Sequence, residues 1–410
     1  MKRSYTILAL LIAVRAATAA QTVPAAANRA GFAGLPVSGT LHYDLRYSQT
    51  SQFGDGQDGR EWSMASGDAS YMNTSKRLPF TMQYNGGYGW TWAGPSSPGN
   101  TFQSLSLSQA INGRSWNLSA SDIVSYTFQN SATGFSGSIT PADQTILVVN
   151  TRTLDNSASL GFGHRLDRAS SLNLGGTAGQ MRFIDGNGQD INTWTANAGI
   201  SRRLDARDSV SSQYAFSRYD YTGGYFLAVG SAHISFSQTN TVQFSLSRQW
   251  NPRISVSGSI GPQWTSSSNS AVIPSSTGVS ASASFTDVMR LGTASLFYSH
   301  GTSGGSGYMI GAETDNAGGN FTRAIGRSLN VGVNGSYMRT SELISNYVTS
   351  AKSGGGQVTW QLSRHCSVFA SYSAAGQSSS IKNSATILNG VDQSLSFGIG
   401  YSPREVHLRK

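Results

Sequence analysis

The residues whose type and spacing come nearest to catalytic chemistry are Gly301-Thr302-Ser303-Gly304-Gly305, with His300 directly in front. The pattern G-x-S-x-G presents a serine nucleophile for acyl transfer, but only where a strand turns sharply into a helix. Here the serine stands in a Gly/Ser-rich segment that reads as a loop, so acyl transfer is not supported. His164 and His300 have no convincing serine or carboxylate partner along the chain. Asp55, Asp58 and Glu61 offer oxygen ligands for a weak Ca²⁺ site but lack the spacing of an EF-hand loop. A single cysteine, Cys366, excludes an internal disulfide and a zinc cluster. Neither a nucleotide-binding loop nor a nucleic-acid motif occurs, so no cofactor and no nucleic-acid partner is expected.

What remains is hydrogen-bonding chemistry, spread along the chain on every second residue. Gln243, Ser245, Ser247 and Gln249 share one face; Arg253, Ser255, Ser257 and Ser259 share the next. Further on come Asn330, Asn334 and Ser336, then Gln357, Thr359, Gln361 and Ser363, then Ser394 and Ser396. Near the start, His42, Asp44 and Arg46 do the same. Such a hydroxyl-and-amide wall exchanges hydrogen bonds with neutral hydrophilic solutes, sugars included. It also suits a pore kept wide by small side chains.

The opposite face of each segment is apolar. Leu41, Tyr43, Leu45 and Tyr47 alternate with the charged trio, and Phe80, Met82, Tyr84, Tyr88, Trp90 and Trp92 form a longer example. Val242, Phe244 and Leu246, then Leu395, Phe397, Ile399 and Tyr401, repeat the pattern. Strict alternation marks strands with one apolar and one polar environment. In 410 residues only 12% are charged and 47 are Gly, too few charges for an ordinary soluble domain. A soluble β-sandwich would alternate too. The strands are too long for one, aromatic residues cluster at strand ends, and the polar face is uniformly small.

The first 20 residues read as a secretory signal: Lys2 and Arg3, an apolar run from Tyr5 to Val14, then Ala17-Thr18-Ala19. Its removal takes away Lys2, Arg3 and Arg15 and leaves 26 basic and 20 acidic residues, a net charge of +6. Residues 21–38 read as an Ala-rich linker, 39–402 as the barrel and 403–410 as a periplasmic tail.

A longer period separates the strands. Eight tight, mostly Arg-bearing turns lie near Lys76-Arg77, Arg114, Arg165-Arg168, Arg203-Arg207, Arg253, Arg290, Arg327 and Arg364. Nine longer polar segments, centred near Gly56, Pro95, Thr140, Gly186, Gly223, Asn269, Gly305, Ser345 and Ser380, lie between them. Nine long segments imply 18 strands, with 16 as the alternative, and roughly 22 residues per strand and connection, enough for a spanning strand and its loop. Here the chain resembles porin-like outer-membrane β-barrel proteins of Gram-negative bacteria. The resemblance rests on the signal segment, the alternation, the short-turn and long-loop asymmetry, and the terminal strand Leu395-Ser-Phe-Gly-Ile-Gly-Tyr401. It departs at the end, where Ser402 to Lys410 follow and Pro403 stops the strand. It implies an all-β, up-and-down transmembrane barrel with short periplasmic turns and long extracellular loops. Outer-membrane lipid, lipopolysaccharide and the barrel-assembly machinery are then the expected partners, with a homo-oligomer left open.

With the apolar face on lipid, Asp44, Arg46, Gln243, Gln249, Arg253, Asn330, Asn334, Gln357 and Gln361 are the expected lumen residues. The third long segment carries Asp143, Ile146 and Leu147, which would narrow the pore if it folds inward. Asp122 stands out, because it shares parity with Trp116, Leu118, Val124 and Tyr126 and so should face lipid or a protomer interface. The leading expectation is an outer-membrane channel for passive diffusion of small hydrophilic solutes with a weak anion preference. An exopolysaccharide-export conduit is the alternative, and a barrel-embedded hydrolase the third reading.

Overall fold

The computed structural model describes residues 39–410 except 55–56, 74, 94–99, 130–150, 186–187, 223–233, 272, 306–309, 345–346, 381–389, 405 and 409–410. The expected signal and linker segments therefore lie outside the described residues. The regular elements are antiparallel strands in one sheet. They are β1 (Gly39–Gly54), β2 (Gln57–Asn73), β3 (Phe80–Ala93), β4 (Asn100–Asn112), β5 (Trp116–Gln129) and β6 (Thr151–Arg165). Next come β7 (Ser170–Phe183), β8 (Asp190–Arg203), β9 (Asp208–Thr222), β10 (Phe236–Gln249), β11 (Ile254–Ser267) and β12 (Ser276–Met289). The series ends with β13 (Gly292–Gly305), β14 (Ile310–Ile325), β15 (Leu329–Glu342), β16 (Val348–Gln361), β17 (Cys366–Ser379), β18 (Gly390–Tyr401) and the short β19 (Val406–Leu408).

Each strand from β1 to β18 pairs with its sequence neighbours, and β1 pairs with β18 from Leu45↔Tyr401 to Gly54↔Asp392. That last ladder closes an 18-stranded barrel; among the described residues the β4–β5 and β12–β13 ladders stop short of the loop-side rim, at Gln103↔Tyr126 and Ala281↔His300. Closure is what hydrocarbon demands, because no water is present there to satisfy an open strand edge. The carboxyl-terminal tail is not loose. Pro403 has no N–H and breaks β18, but β19 resumes pairing with Gly39–Leu41 of β1.

The two rims differ as the turn spacing implies. At the short rim one turn chemistry recurs. Asp167 accepts the backbone N–H groups of Ala169 and Ser170, Asp205 those of Arg207 and Asp208, and Asn251 those of Arg253 and Ile254. Ser363 does the same for His365 and Cys366. A short polar side chain that bonds its own backbone two and three residues on closes a tight turn without loop length. The outer wall carries the apolar alternates: Phe397 is 58% and Ile399 59% exposed, a state stable only against lipid. Aromatic residues mark both edges of this band, with Trp116, Trp250, Trp360 and Tyr401 near the turns and Tyr88, Trp92, Trp194 and Trp264 toward the loops.

Candidate functional site

The direction of each face follows from contacts that skip strands. Tyr221 on β9 bonds Gly304 on β13, and Gln263 on β11 bonds Thr302 on β13. Bonds of this kind run as chords across the concave side, so the face of Tyr221 and Gln263 is the lumen. The register then carries this parity around the barrel.

The lumen wall is a set of hydroxyl ladders. Directly paired serines bond across neighbouring strands: Ser121–Ser159 at 2.7 Å, Ser171–Ser201 at 2.7 Å and Ser257–Ser284 at 2.7 Å. Ser259–Ser282 (2.8 Å), Ser336–Ser353 (2.6 Å) and Ser373–Ser394 (2.7 Å) continue the pattern. Each pair satisfies one hydroxyl proton and leaves further lone pairs toward the lumen.

Charge is concentrated on β1 and β2. Asp44 and Asp68 stand opposite each other in the ladder. Arg46 Nη2 lies 3.8 Å from a carboxylate oxygen of each. His42 Nε2 lies 3.4 Å from Asp44 Oδ1. Four ionisable side chains thus share one patch in a wall otherwise dominated by hydroxyls and amides. Arg46 is more than half exposed, so the pairing is loose and the patch keeps field to offer a passing ion.

The other expected lumen residues are placed by register. Gln243 faces inward and donates to Ser280 Oγ at 2.8 Å. Asn330, Asn334, Gln357 and Gln249 share the inward parity and are exposed to the lumen or its rim. Gln361 ends β16 and turns back to donate to the Ser363 carbonyl at 2.9 Å. Arg253 departs from expectation. It sits in the turn before β11, where strand parity no longer holds, and grips Asp287 on the outer face through two hydrogen bonds. Arg248 and Asp208 form a similar rim pair at 3.2 Å.

Asp122 faces outward. The β5–β6 ladder runs unbroken from Trp116↔His164 to Gln129↔Thr151, so no register shift turns it inward. Asn156 Nδ2 donates to Asp122 Oδ1 at 3.0 Å, which gives the carboxyl a partner on the same lipid-side face. Asp143, Ile146 and Leu147 lie outside the described residues.

The serine motif proves to be strand rather than loop, because residues 301–305 belong to β13 and pair with β14. His300 and Ser303 have opposite parity on β13. His300 faces out, where its Nδ1 meets Asp315 at 2.9 Å and its Nε2 meets Glu313 at 3.2 Å. The histidine and serine therefore cannot act as base and nucleophile together.

Sequence reasoning missed the loop-side mouth. Ile191, Tyr221, Ile234 and Ile273 form a buried apolar cluster, with Tyr219, Leu343 and Ile344 packed against it. Members come from β8 and β9 and from the connections β9–β10, β11–β12 and β15–β16. Ile234 and Ile273 are each 1% exposed. The β11–β12 connection is pinned by Ser267 Oγ, which donates to the Ile273 carbonyl at 3.0 Å. Leu343 N–H donates to the Gly311 carbonyl at 3.1 Å. The mouth thus narrows over the sector from β8 to β15. The missing signal is understandable: single apolar residues in polar loops have no periodicity to betray them.

No family model matches the chain, and no curated protein matches it. Among solved structures, Pseudomonas aeruginosa OccK5 (OpdH) aligns with a TM-score of 0.46 at 11% identity, covering 92% of this chain and 100% of that one. P. aeruginosa OpdK, solved with vanillate, aligns with a TM-score of 0.45 at 10% identity over 88% of this chain and 98% of that one. The FrpB iron transporter of Neisseria meningitidis aligns at 0.44 and 9% identity over 85% of this chain and 64% of that one. On its own geometry of closure, apolar outer wall, aromatic edges and hydroxyl-lined interior, the molecule has the architecture of a porin-like β-barrel of the outer membrane.

Proposed function

We propose that this protein is an outer-membrane channel through which small hydrophilic solutes diffuse passively. The observation that carries the reading is the inward face itself, where paired serines and amides line the strands and one loose charged patch, His42–Asp44–Arg46–Asp68, interrupts them. Barrels of 16–18 strands are wide enough to hold water, and a neutral hydroxyl wall replaces a solute's lost water hydrogen bonds without trapping it. The unpaired arginines of the periplasmic turns attract anions to that mouth. Carboxylates on the inward face, those of Asp44, Asp68, Asp155, Glu342 and Asp392, oppose them and keep the anion preference small. Lipopolysaccharide is the partner that suits the outer collar, where Arg182 pairs with Asp190 and Arg218 with Asp220.

The experiment is reversal potential across planar bilayers under a KCl gradient. A small potential of anion sign, shrinking in 1 M salt where screening falls to about 3 Å, supports the reading. A large cation-selective potential would remove the anion preference, and no current at any voltage would remove the channel.

A further inference from the structure

Two phenylalanine rings flank the charged patch of β1 and β2, one on each side. Phe369 on β17 pairs with Gly398 on β18, and a Cβ on that glycine would fall 2.3 Å from the ring's Cζ. Phe102 on β4 pairs with Gly87 on β3, and a Cβ there would fall 2.6 Å from the ring's Cε1. Each ring therefore lies down against the wall, in the space that a side chain at the glycine would take. The register puts both on the lumen face. Gly398 stands opposite Ser48, two residues along β1 from Arg46. Gly87 stands opposite Ser66 on β2, which in turn stands opposite Arg46. Both rings are half-buried, so each keeps surface toward the lumen. Between them lie Asp44, Arg46 and Asp68, with the exposed Asn85 opposite Asp68 on β3. Around the barrel from β18 to β3 the order is ring, charges, ring, and the two glycines are about 14 Å apart along the wall at about 4.8 Å per strand. A third ring of this kind, Phe297 over Gly318, has Ser284, Ser295 and Ser299 beside it and no charged neighbour on the lumen face.

We propose that this strip binds a neutral oligosaccharide of trisaccharide length, an end sugar stacked on each ring and the middle one held by Asp44, Arg46 and Asp68. The proposal rests on the reading of the lumen as a solute path and names the solute. Charge argues for a neutral ligand. Arg46 Nη2 lies 3.8 Å from an oxygen of each carboxylate, which is too far for a hydrogen bond. The charges therefore offset one another while the guanidinium donors and carboxylate acceptors keep their bonding capacity. A charged solute would have to part that pairing. A sugar hydroxyl donates and accepts, so it bonds Arg46 and a carboxylate together and leaves the charges balanced. Shape argues for a sugar. A pyranose has an apolar face of C–H groups, slightly positive, and a rim of hydroxyls. The negative face of an aromatic ring suits the first, and the patch with Asn85 suits the second. The strip offers two such faces with the polar groups between them, so it matches a chain of sugars better than a single small polyol, which would leave one ring unused.

Two measurements test it. Titration calorimetry on the detergent-folded protein reads the binding of maltotriose, cellotriose and xylotriose, and planar-bilayer recording reads KCl conductance and its block by the same sugars. At least one trimer should bind saturably and reduce the current. Phe102→Ala and Phe369→Ala should each weaken that binding by about two- to tenfold, the worth of one aromatic contact. Phe297→Ala should leave it unchanged, and heat-modifiable migration shows that each variant is folded. Conductance with no binding of any trimer would overturn the site and leave the channel standing. Binding with no conductance at any voltage would keep the site and remove the channel. Equal loss of binding in Phe297→Ala, or tighter binding of trigalacturonate or a glucosamine trimer than of every neutral trimer, would also overturn the proposal.

Discussion

The hydroxyl of Tyr221 donates to the carbonyl of Gly304 at 2.9 Å, tying β9 to β13 across the interior of the barrel. The same hydroxyl lies 2.8 Å from Ser237 Oγ, so the ring is fixed at both partners and closes the apolar cluster of Ile191, Ile234 and Ile273. The loop-side mouth is therefore a packed structure.

Packing at the mouth has a measurable cost of removal. Ile273→Ala should destabilise the refolded barrel by about 2–5 kcal/mol, the range for a large-to-small change at a buried site. Single-channel conductance should rise, because the cluster narrows the mouth. Denaturant unfolding and bilayer recording check both; unchanged conductance would show that the cluster lies off the solute path.

The charged patch on β1 and β2 should set the sign of small selectivity changes. Arg46→Gln leaves Asp44 and Asp68 without their shared cation and should move the reversal potential toward cations. The double change Asp44→Asn and Asp68→Asn should move it toward anions. The patch is loosely paired, and exposed pairs contribute only about 0.2–1 kcal/mol, so neither variant should lose its fold. Identical reversal potentials for all three proteins would place the patch outside the permeation path.

Asp122 and Asn156 make a hydrogen-bonded pair on the lipid side. Charged groups on this face cost a few kcal/mol near mid-membrane, and Asp somewhat less than Arg or Lys. Replacing both by Leu should therefore keep the fold and raise the unfolding midpoint of the lipid-refolded protein. A lowered midpoint with loss of an oligomer would assign the pair to a protomer interface.

Acid should loosen the turns of the short rim. Backbone N–H groups of Ala169 and Ser170 hold the Asp167 carboxyl below the usual carboxylate range, and those of Arg207 and Asp208 do the same for Asp205. An unfolded Asp titrates near about 3.9. Between the lowered folded value and that point the unfolded chain binds more protons, so stability rises with pH through this window. The contribution is complete above it and is lost as pH falls through the folded value. Asp167→Asn should flatten this part of the stability profile; an unchanged profile would show that the turn bonds are not made in solution.

Cys366 opens β17 at the short-turn rim and is exposed. An impermeant maleimide too large for the pore should fail to label it in intact cells and should label it once the outer membrane is breached. Labelling from outside would invert the orientation of the barrel.

Most of the architecture was legible because a lipid-facing barrel imposes a strict period of two, and the Arg-bearing turns punctuate it. Arg253 was misplaced because parity holds within a strand and fails one residue before it. Gly301 to Gly305 read as a loop because glycine and serine are poor strand formers; pairing with β14 overrides that propensity. Asp44 and Arg46 were legible as alternates, whereas Asp68, their partner on β2, had no local signal, since only the β1–β2 register brings it opposite Asp44. Ile273 and Gln263 gave no warning, because their roles depend on chords between strands far apart in sequence.

The most direct test of the central claim is single-channel conductance of the purified protein in planar bilayers, with neutral polymers of graded size added to both sides. An aqueous, hydroxyl-lined lumen predicts steady conductance that small polymers reduce by entering and that polymers above a cut-off size leave unaffected. A protein that carries no current at any voltage, in its native form and with Ile273→Ala alike, would contradict it.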